Sequence, residues 1–219
     1  MTKFNGYASF KLSCSTVLKQ ALLNKGSWPK DVYVRPFFDK NCNCNRILGF
    51  EFKIDSFHAL LMCVYLPCDN AENYDEYWHC LSLMRQITLE FPSPYVYILG
   101  DFNANLSRAS NFGDDLISFC ERYCFHISDY DVLASDTYTH VSMAHGNTSW
   151  LDHCISTSTG HDSISDIQVL HDCMSSDPFP LSVVIVLPNA INLPRENSHG
   201  TLGKHISHKW HEASTANLQ

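Results

Sequence analysis

Two apolar runs that each end in polar residues constrain the fold more than anything else in this chain. Residues 59–66 are apolar almost throughout, as a central strand covered on both faces would be, and Pro67 ends the run because it cannot donate to a ladder. Tyr95-Val96-Tyr97-Ile98-Leu99 is a second buried strand, and it passes directly into Gly100-Asp101-Phe102-Asn103. Between the two, residues 72–91 place Tyr74, Tyr77, Trp78, Leu81, Met84 and Ile87 on one stripe, the pattern of an amphipathic helix that Pro92 and Pro94 then stop.

Flanking segments extend this mixture of strands and helices. Phe50, Phe52 and Ile54 alternate with Glu51, Lys53 and Asp55, which predicts a strand with one wet face. Phe112, Leu116, Phe119, Cys120 and Tyr123 recur at helical spacing behind Asn111, the expected cap. Residues 138–141, 151–156, 167–171 and 181–187 read as shorter strands separated by Gly, Ser, Asn and Asp clusters. Beyond Pro188 the chain turns polar, so residues 1–190 are expected to form the folded domain and 191–219 a tail or linker.

Composition narrows the class. A length of 219 residues suits one well-buried core. The ten cysteines suggest a disulfide scaffold, but no apolar signal segment follows Met1, and their spacing has no zinc pattern, so most are expected to be buried free thiols in an intracellular, nuclear or cytoplasmic protein. The longest nearly apolar stretch falls short of the roughly 20 residues a bilayer span needs. A formal charge of -8 argues against coating nucleic acid by charge alone.

The candidate chemistry lies where polar groups meet buried strands: Tyr65 before Pro67, Asp101 with Asn103, Asp152 after Trp150-Leu151, and Ser176-Asp177. Taken singly, each has an ordinary reading as a turn, a core tyrosine, a surface pair or a cap. Together, carboxylates and amide oxygens at one mouth of a sheet suit Mg²⁺, a hard cation that keeps waters and binds phosphate substrates, and therefore phosphodiester hydrolysis.

The ordered set Tyr65-Leu66-Pro67, Leu99-Gly100-Asp101-Phe102-Asn103-Ala104, Ser149-Trp150-Leu151-Asp152-His153 and Ser176-Asp177-Pro178-Phe179-Pro180-Leu181 resembles successive motifs of the endonuclease/exonuclease/phosphatase superfamily. Within it the chain is most similar to the endonuclease domains of non-LTR retrotransposons, which join such a nuclease to a reverse transcriptase. The resemblance covers residues 46–188, and Lys209-Trp210-His211-Glu212-Ala213 looks like the start of the segment linking nuclease to polymerase. It implies a four-layer α/β sandwich of two packed mixed sheets flanked by helices, with the active site at one edge between the sheets and DNA as substrate.

Roles follow residue by residue from that resemblance. Tyr65 would hydrogen-bond the scissile phosphate, Asp101 would orient or deprotonate the attacking water, and Asn103 would hold phosphate or water beside it. Asp177, with Asp101, would contribute to the Mg²⁺ environment. Asp152 matches the aspartate that orients the motif histidine, yet Pro178 stands where that histidine belongs and offers neither an imidazole nor a backbone N–H. The neighbouring His153 is expected to point to the opposite face of the strand from Asp152. The family's opening strands, with their Asn and metal-binding Glu, are not recognisable. Gly6-Tyr7-Ala8-Ser9-Phe10 looks like the strand after that glutamate, so the chain is expected to begin inside the domain and to leave a sheet edge open. Three functions stay in competition: an impaired endonuclease domain, a working metal-dependent phosphodiesterase with altered ligands, and a non-catalytic module that binds nucleic acid or protein. Zinc binding by His199, His205, His208 and His211 is a poorer idea, because no Cys or carboxylate completes a tetrahedral set.

Overall fold

A computed structural model describes residues 7–10, 33–37, 46–54, 56–142, 145–172 and 179–186. The alternation predicted from Phe50 to Ile54 forms β3 (Ile47–Ile54), which pairs antiparallel with β4 (Phe57–Tyr65) and, on its other side, with β2 (Tyr33–Phe37). Pro36 lies in β2, which among the described residues has a strand partner on one side only, the setting in which a sheet tolerates a proline. The first apolar run is β4, the second is β5 (Tyr95–Asp101), and the two pair in parallel. A parallel pair needs a long crossover, and the predicted helix supplies it as α1 (Tyr74–Glu90), entered through a short 3-10 turn at Ala71–Asn73.

The second predicted helix is α2 (Asn111–Tyr123), with one correction: Ser110, not Asn111, caps it, its Oγ accepting from Gly113 N at 3.1 Å. Asn111 already lies inside the helix, one position too late for its side chain to reach the first free N–H groups. Three short elements have no periodic signature in the sequence: β6 (Phe125–Ile127), α3 (Ser128–Val132) and α4 (Ser158–Asp162). The segment expected at 138–141 contributes only β7 (His140–Val141), paired with β8 (Thr148–Ser149). The later segments form β9 (Asp152–Thr157), β10 (Ile164–Val169) and β11 (Leu181–Val186). β10 begins three residues before its expected start.

Strand order in the larger sheet is β2-β3-β4-β5-β9-β6. The smaller sheet is β1-β11-β10, where β1 (Tyr7–Phe10) is the strand read at the start of the chain. Among the described residues, β1 has a strand partner on one side only.

The pleat of β4 explains the layering. Leu60, Met62 and Val64 face one way, into a core with Tyr77, Leu81, Met84 and Ile87 of α1 and Phe112, Leu116 and Phe119 of α2. Ala59, Leu61 and Cys63 face the other way, onto Ile167 of β10 and Val183 and Ile185 of β11. A strand that is apolar on both faces is thus used on both: helices lie on one side and a second sheet on the other. The described residues form three layers. Among the described cysteines, Cys63, Cys80, Cys120 and Cys154 are buried and Cys68 and Cys124 exposed, all as free thiols. No helix of the described residues is long and apolar enough to cross a membrane.

Candidate active site at the sheet edge

Because β4 and β5 are parallel and β9 runs antiparallel to β5, the ends of the first two meet the beginning of the third. Asp152 therefore opens a strand rather than ending one, yet reaches the same edge. The register places Tyr65 opposite Asp101 and Asp101 opposite Asp152, one row across three neighbouring strands. Residues paired across a sheet project to the same face. Here it is the face that Leu61 and Cys63 turn toward the smaller sheet, so the row sits at the rim between the sheets.

Gly100 makes the row possible. Its φ is +143°, and a Cβ there would lie 2.1 Å from the backbone oxygen of Val64 on β4. Gly100→Ala is expected to destabilise the protein by more than about 1 kcal/mol from backbone strain alone, with the clash in addition. Urea unfolding checks this, and an unchanged midpoint would show that β4 and β5 can separate without loss.

Asn103 adopts the left-handed conformation, φ 49°, which Asn tolerates better than most residues. Its backbone N–H donates to Asp101 Oδ1 at 2.8 Å and its Nδ2 donates to the Leu66 carbonyl at 2.8 Å. The Gly-Asp-Phe-Asn turn thus ties the end of β5 to the segment after β4, and the Leu66 N–H closes the tie on the Asp101 carbonyl at 2.8 Å. Tyr65 is 53% exposed at this rim, unlike the rest of β4. Beside it, the Arg46 guanidinium donates to the Tyr65 carbonyl and pairs with Glu76 at 2.5 Å.

Both acids of the row are held in conditions that disfavour charge. Burial raises the pKa of Asp101 above the usual carboxylate range, against the hydrogen bond from Asn103 N and the nearby His153 and His140. Asp152 is pushed up to about 7, first by burial and then by the negative charge of Asp101; a hydrogen bond with Thr139 pulls the other way. Its Oδ2 is buried and has no hydrogen-bond partner among the described residues.

Thr139 and Asp129 belong to this site and were not singled out in the sequence. Thr139 is fully buried; its Oγ1 accepts from Leu151 N and Asp152 N, each at 3.1 Å, and its carbonyl accepts from Phe179 N at 2.7 Å. It ties the start of β9 to the residue that follows Pro178. Asp177 and Pro178 themselves lie outside the described residues, as do the tail histidines.

His153 is fully buried on the side of the sheet opposite Asp152. Its Nδ1 pairs with Asp129 Oδ2 at 2.8 Å, its Nε2 with the Ala104 carbonyl at 2.8 Å, and Asp129 Oδ1 accepts from Cys154 N at 2.7 Å. Burial opposes a charge on the ring, but Asp129 and the Ala104 carbonyl outweigh it and raise the His153 pKa. Both ring nitrogens are taken inside the core, so this imidazole does not face the rim. Asp129 differs from its neighbour Asp131 only in burial, which no local pattern announces.

No family model and no curated protein matches the sequence. Solved structures do match the fold. The endonuclease domain of TRAS1, a telomere-specific non-LTR retrotransposon, superposes with a TM-score of 0.61 at 18% identity over 84% of this chain and 82% of its own. The AP endonuclease LMAP from Leishmania major gives 0.59 at 15% identity, over 84% and 72%. An endonuclease/exonuclease/phosphatase family protein from Leptotrichia buccalis gives 0.51 at 14% identity, over 71% and 61%. With its helix-covered mixed sheet packed on a smaller second sheet, the chain has the fold of the endonuclease/exonuclease/phosphatase superfamily.

Proposed function

We propose that this chain is a nuclease-like domain of the retrotransposon-endonuclease type, built for phosphodiester hydrolysis on DNA and impaired in catalysis. The observation that carries the reading is the row Tyr65, Asp101, Asp152, with Asn103 locked beside it, at the rim between the sheets. A phosphodiester needs hydrogen-bond donors on its oxygens and an oriented water. The exposed Tyr65 hydroxyl would supply a donor, and the Asp101 carboxylate, which accepts from Asn103 N, would orient or deprotonate the water.

The donor set fits a hard cation. Two partly buried carboxylates, the charge of Asp101 raising the proton affinity of Asp152 and one Asp152 oxygen being orphaned, form an oxygen-only cluster that positive charge would relieve. Mg²⁺ held by Asp101 and Asp177 would, when bound, polarise a phosphoryl oxygen.

Impairment rests on the same geometry. The carboxylate expected to orient an imidazole is Asp152, and its Oδ2 is without a partner among the described residues, in keeping with Pro178 at the histidine position. A carboxyl near neutrality that orients nothing contributes little to phosphate binding. His153, the nearest imidazole in sequence, is committed to Asp129 and Ala104.

Nicking of supercoiled plasmid in Mg²⁺ tests this. Little or no nicking is expected from the native sequence, and Pro178→His is expected to raise it by about 10²-fold or more if the rest of the site is assembled. Efficient nicking by the native sequence that disappears on Asp101→Ala would replace this reading with that of a working phosphodiesterase.

A further inference from the structure

A second cluster of polar side chains sits at the other end of β9, built from three elements. His126 lies on β6, Asp131 on α3 and His161 on α4, and one potential ligand atom from each falls within 4.8 Å of the other two. His126 Nδ1 is 3.5 Å from Asp131 Oδ2, and the two imidazoles stack with centroids 4.3 Å apart and planes 15° from parallel. β6 pairs with β9 at His126 opposite Ser156, four residues along from Asp152. At the strand rise that is roughly 13 Å from the rim carboxylates.

We propose that His126, Asp131 and His161 bind one divalent transition-metal ion, and that the ion joins β6, α3 and α4 as a structural clasp. The chemistry differs from that of the rim. Two imidazoles and one carboxylate favour an ion of the zinc type over Mg²⁺, which prefers oxygen throughout. With metal–ligand bonds of about 2.0–2.1 Å, neighbouring donors of a tetrahedral site stand ~3.4 Å apart. His126 and Asp131 are already at that spacing. The His161 donor closes on them by side-chain rotation, which also unstacks the rings, and water takes the fourth position.

A buried second layer supports the ligand on α4. His161 Nδ1 hydrogen-bonds Ser128 Oγ at 3.0 Å, and Ser128 Oγ bonds Ser156 Oγ at 2.7 Å, both serines being fully buried. With Nδ1 engaged by Ser128, Nε2 is the ring nitrogen available to coordinate, and a metal there selects the tautomer in which Nδ1–H donates to Ser128 Oγ, the usual arrangement for a metal-bound histidine.

The need for a clasp is local. α3 and α4 are five residues each, far below the length at which a helix holds itself, and no side chain caps α3. α3 also carries Asp129, which anchors His153 and the Cys154 N–H. An ion on Asp131 therefore steadies the helix on which that buried pair depends.

The test uses the full chain, freed of metal with a chelator and titrated with Zn²⁺ by calorimetry and with Co²⁺ by visible absorption. Comparison is with Asp131→Asn, which changes a half-exposed side chain and leaves the fold intact, with His161→Gln, and with a variant in which His199, His205, His208 and His211 are all Ala. One ion per chain is expected in the native sequence and in the tail variant, with a cobalt spectrum free of thiolate charge transfer. At least about tenfold weaker binding is expected in Asp131→Asn and His161→Gln. Zinc should raise the melting temperature of the first two proteins and not of the cluster variants. Absence of stoichiometric binding, unchanged affinity in both cluster variants, loss of binding in the tail variant, or a thiolate band would each overturn the proposal.

Discussion

Asp152→Asn will make the metal-free protein more stable at about pH 8 by on the order of 3–4 kcal/mol, and will remove most of the fall in stability between about pH 4 and pH 7. The sign follows from the Asp152 carboxyl, whose pKa rises on folding from 3.8 to about 7 because of burial and the charge of Asp101. Between those two values the native state holds a proton that the unfolded chain has lost. Stability linked to this group is therefore present below the unfolded pKa and is lost as pH rises through the folded one. An amide of the same shape keeps the Thr139 contact and carries no charge to bury. Urea unfolding in a chelating buffer at several pH values measures the slope. His153 also titrates with a raised pKa, and its contribution is likewise lost as pH rises, but only through its own folded value. A slope in the variant as steep as in the native protein would show that Asp152 ionises freely.

Asp129→Ala is expected to cost about 3–5 kcal/mol, a large fraction of the roughly 5–15 kcal/mol that holds a typical domain folded. Asp129 and His153 are both fully buried, and truncating the acid leaves His153 Nδ1 and the Cys154 N–H without their partners while His153 Nε2 keeps the Ala104 carbonyl. Asp129→Asn, which keeps an acceptor for one of them, should lose less. The difference between the two variants in urea separates charge from hydrogen bonding. Since His153 and Cys154 directly follow Asp152, the start of β9 is expected to loosen in Asp129→Ala, with faster amide exchange at residues 152–155. A loss below about 1 kcal/mol would show that the buried pair adds nothing over a neutral core.

The parts of this fold that were legible in the sequence are those long enough to show a period. β3 announced itself by alternation, β4 and β5 by apolar runs, and α1 and α2 by stripes of buried residues that the structure places against β4. β6, α3 and α4 span three to five residues and have no period to read, and their conformation is imposed by what they pack against. At the site, Tyr65, Asp101, Asn103 and Asp152 could be picked out because each stands where a buried strand begins or ends. Thr139 and Asp129 could not, since a threonine before a two-residue strand and an aspartate in a polar run look like surface.

By itself, the sequence determined the longer strands and helices and which polar groups stand at their ends. Those are properties of neighbouring residues and their spacing. Only the tertiary structure decided that Tyr65, Asp101 and Asp152 share one row, that His153 turns into the core, and that Asp152 sits near neutrality. Register across a sheet and the burial of a charge depend on residues far apart in the chain, and a shift of one residue in pairing would turn each of these side chains to the opposite face.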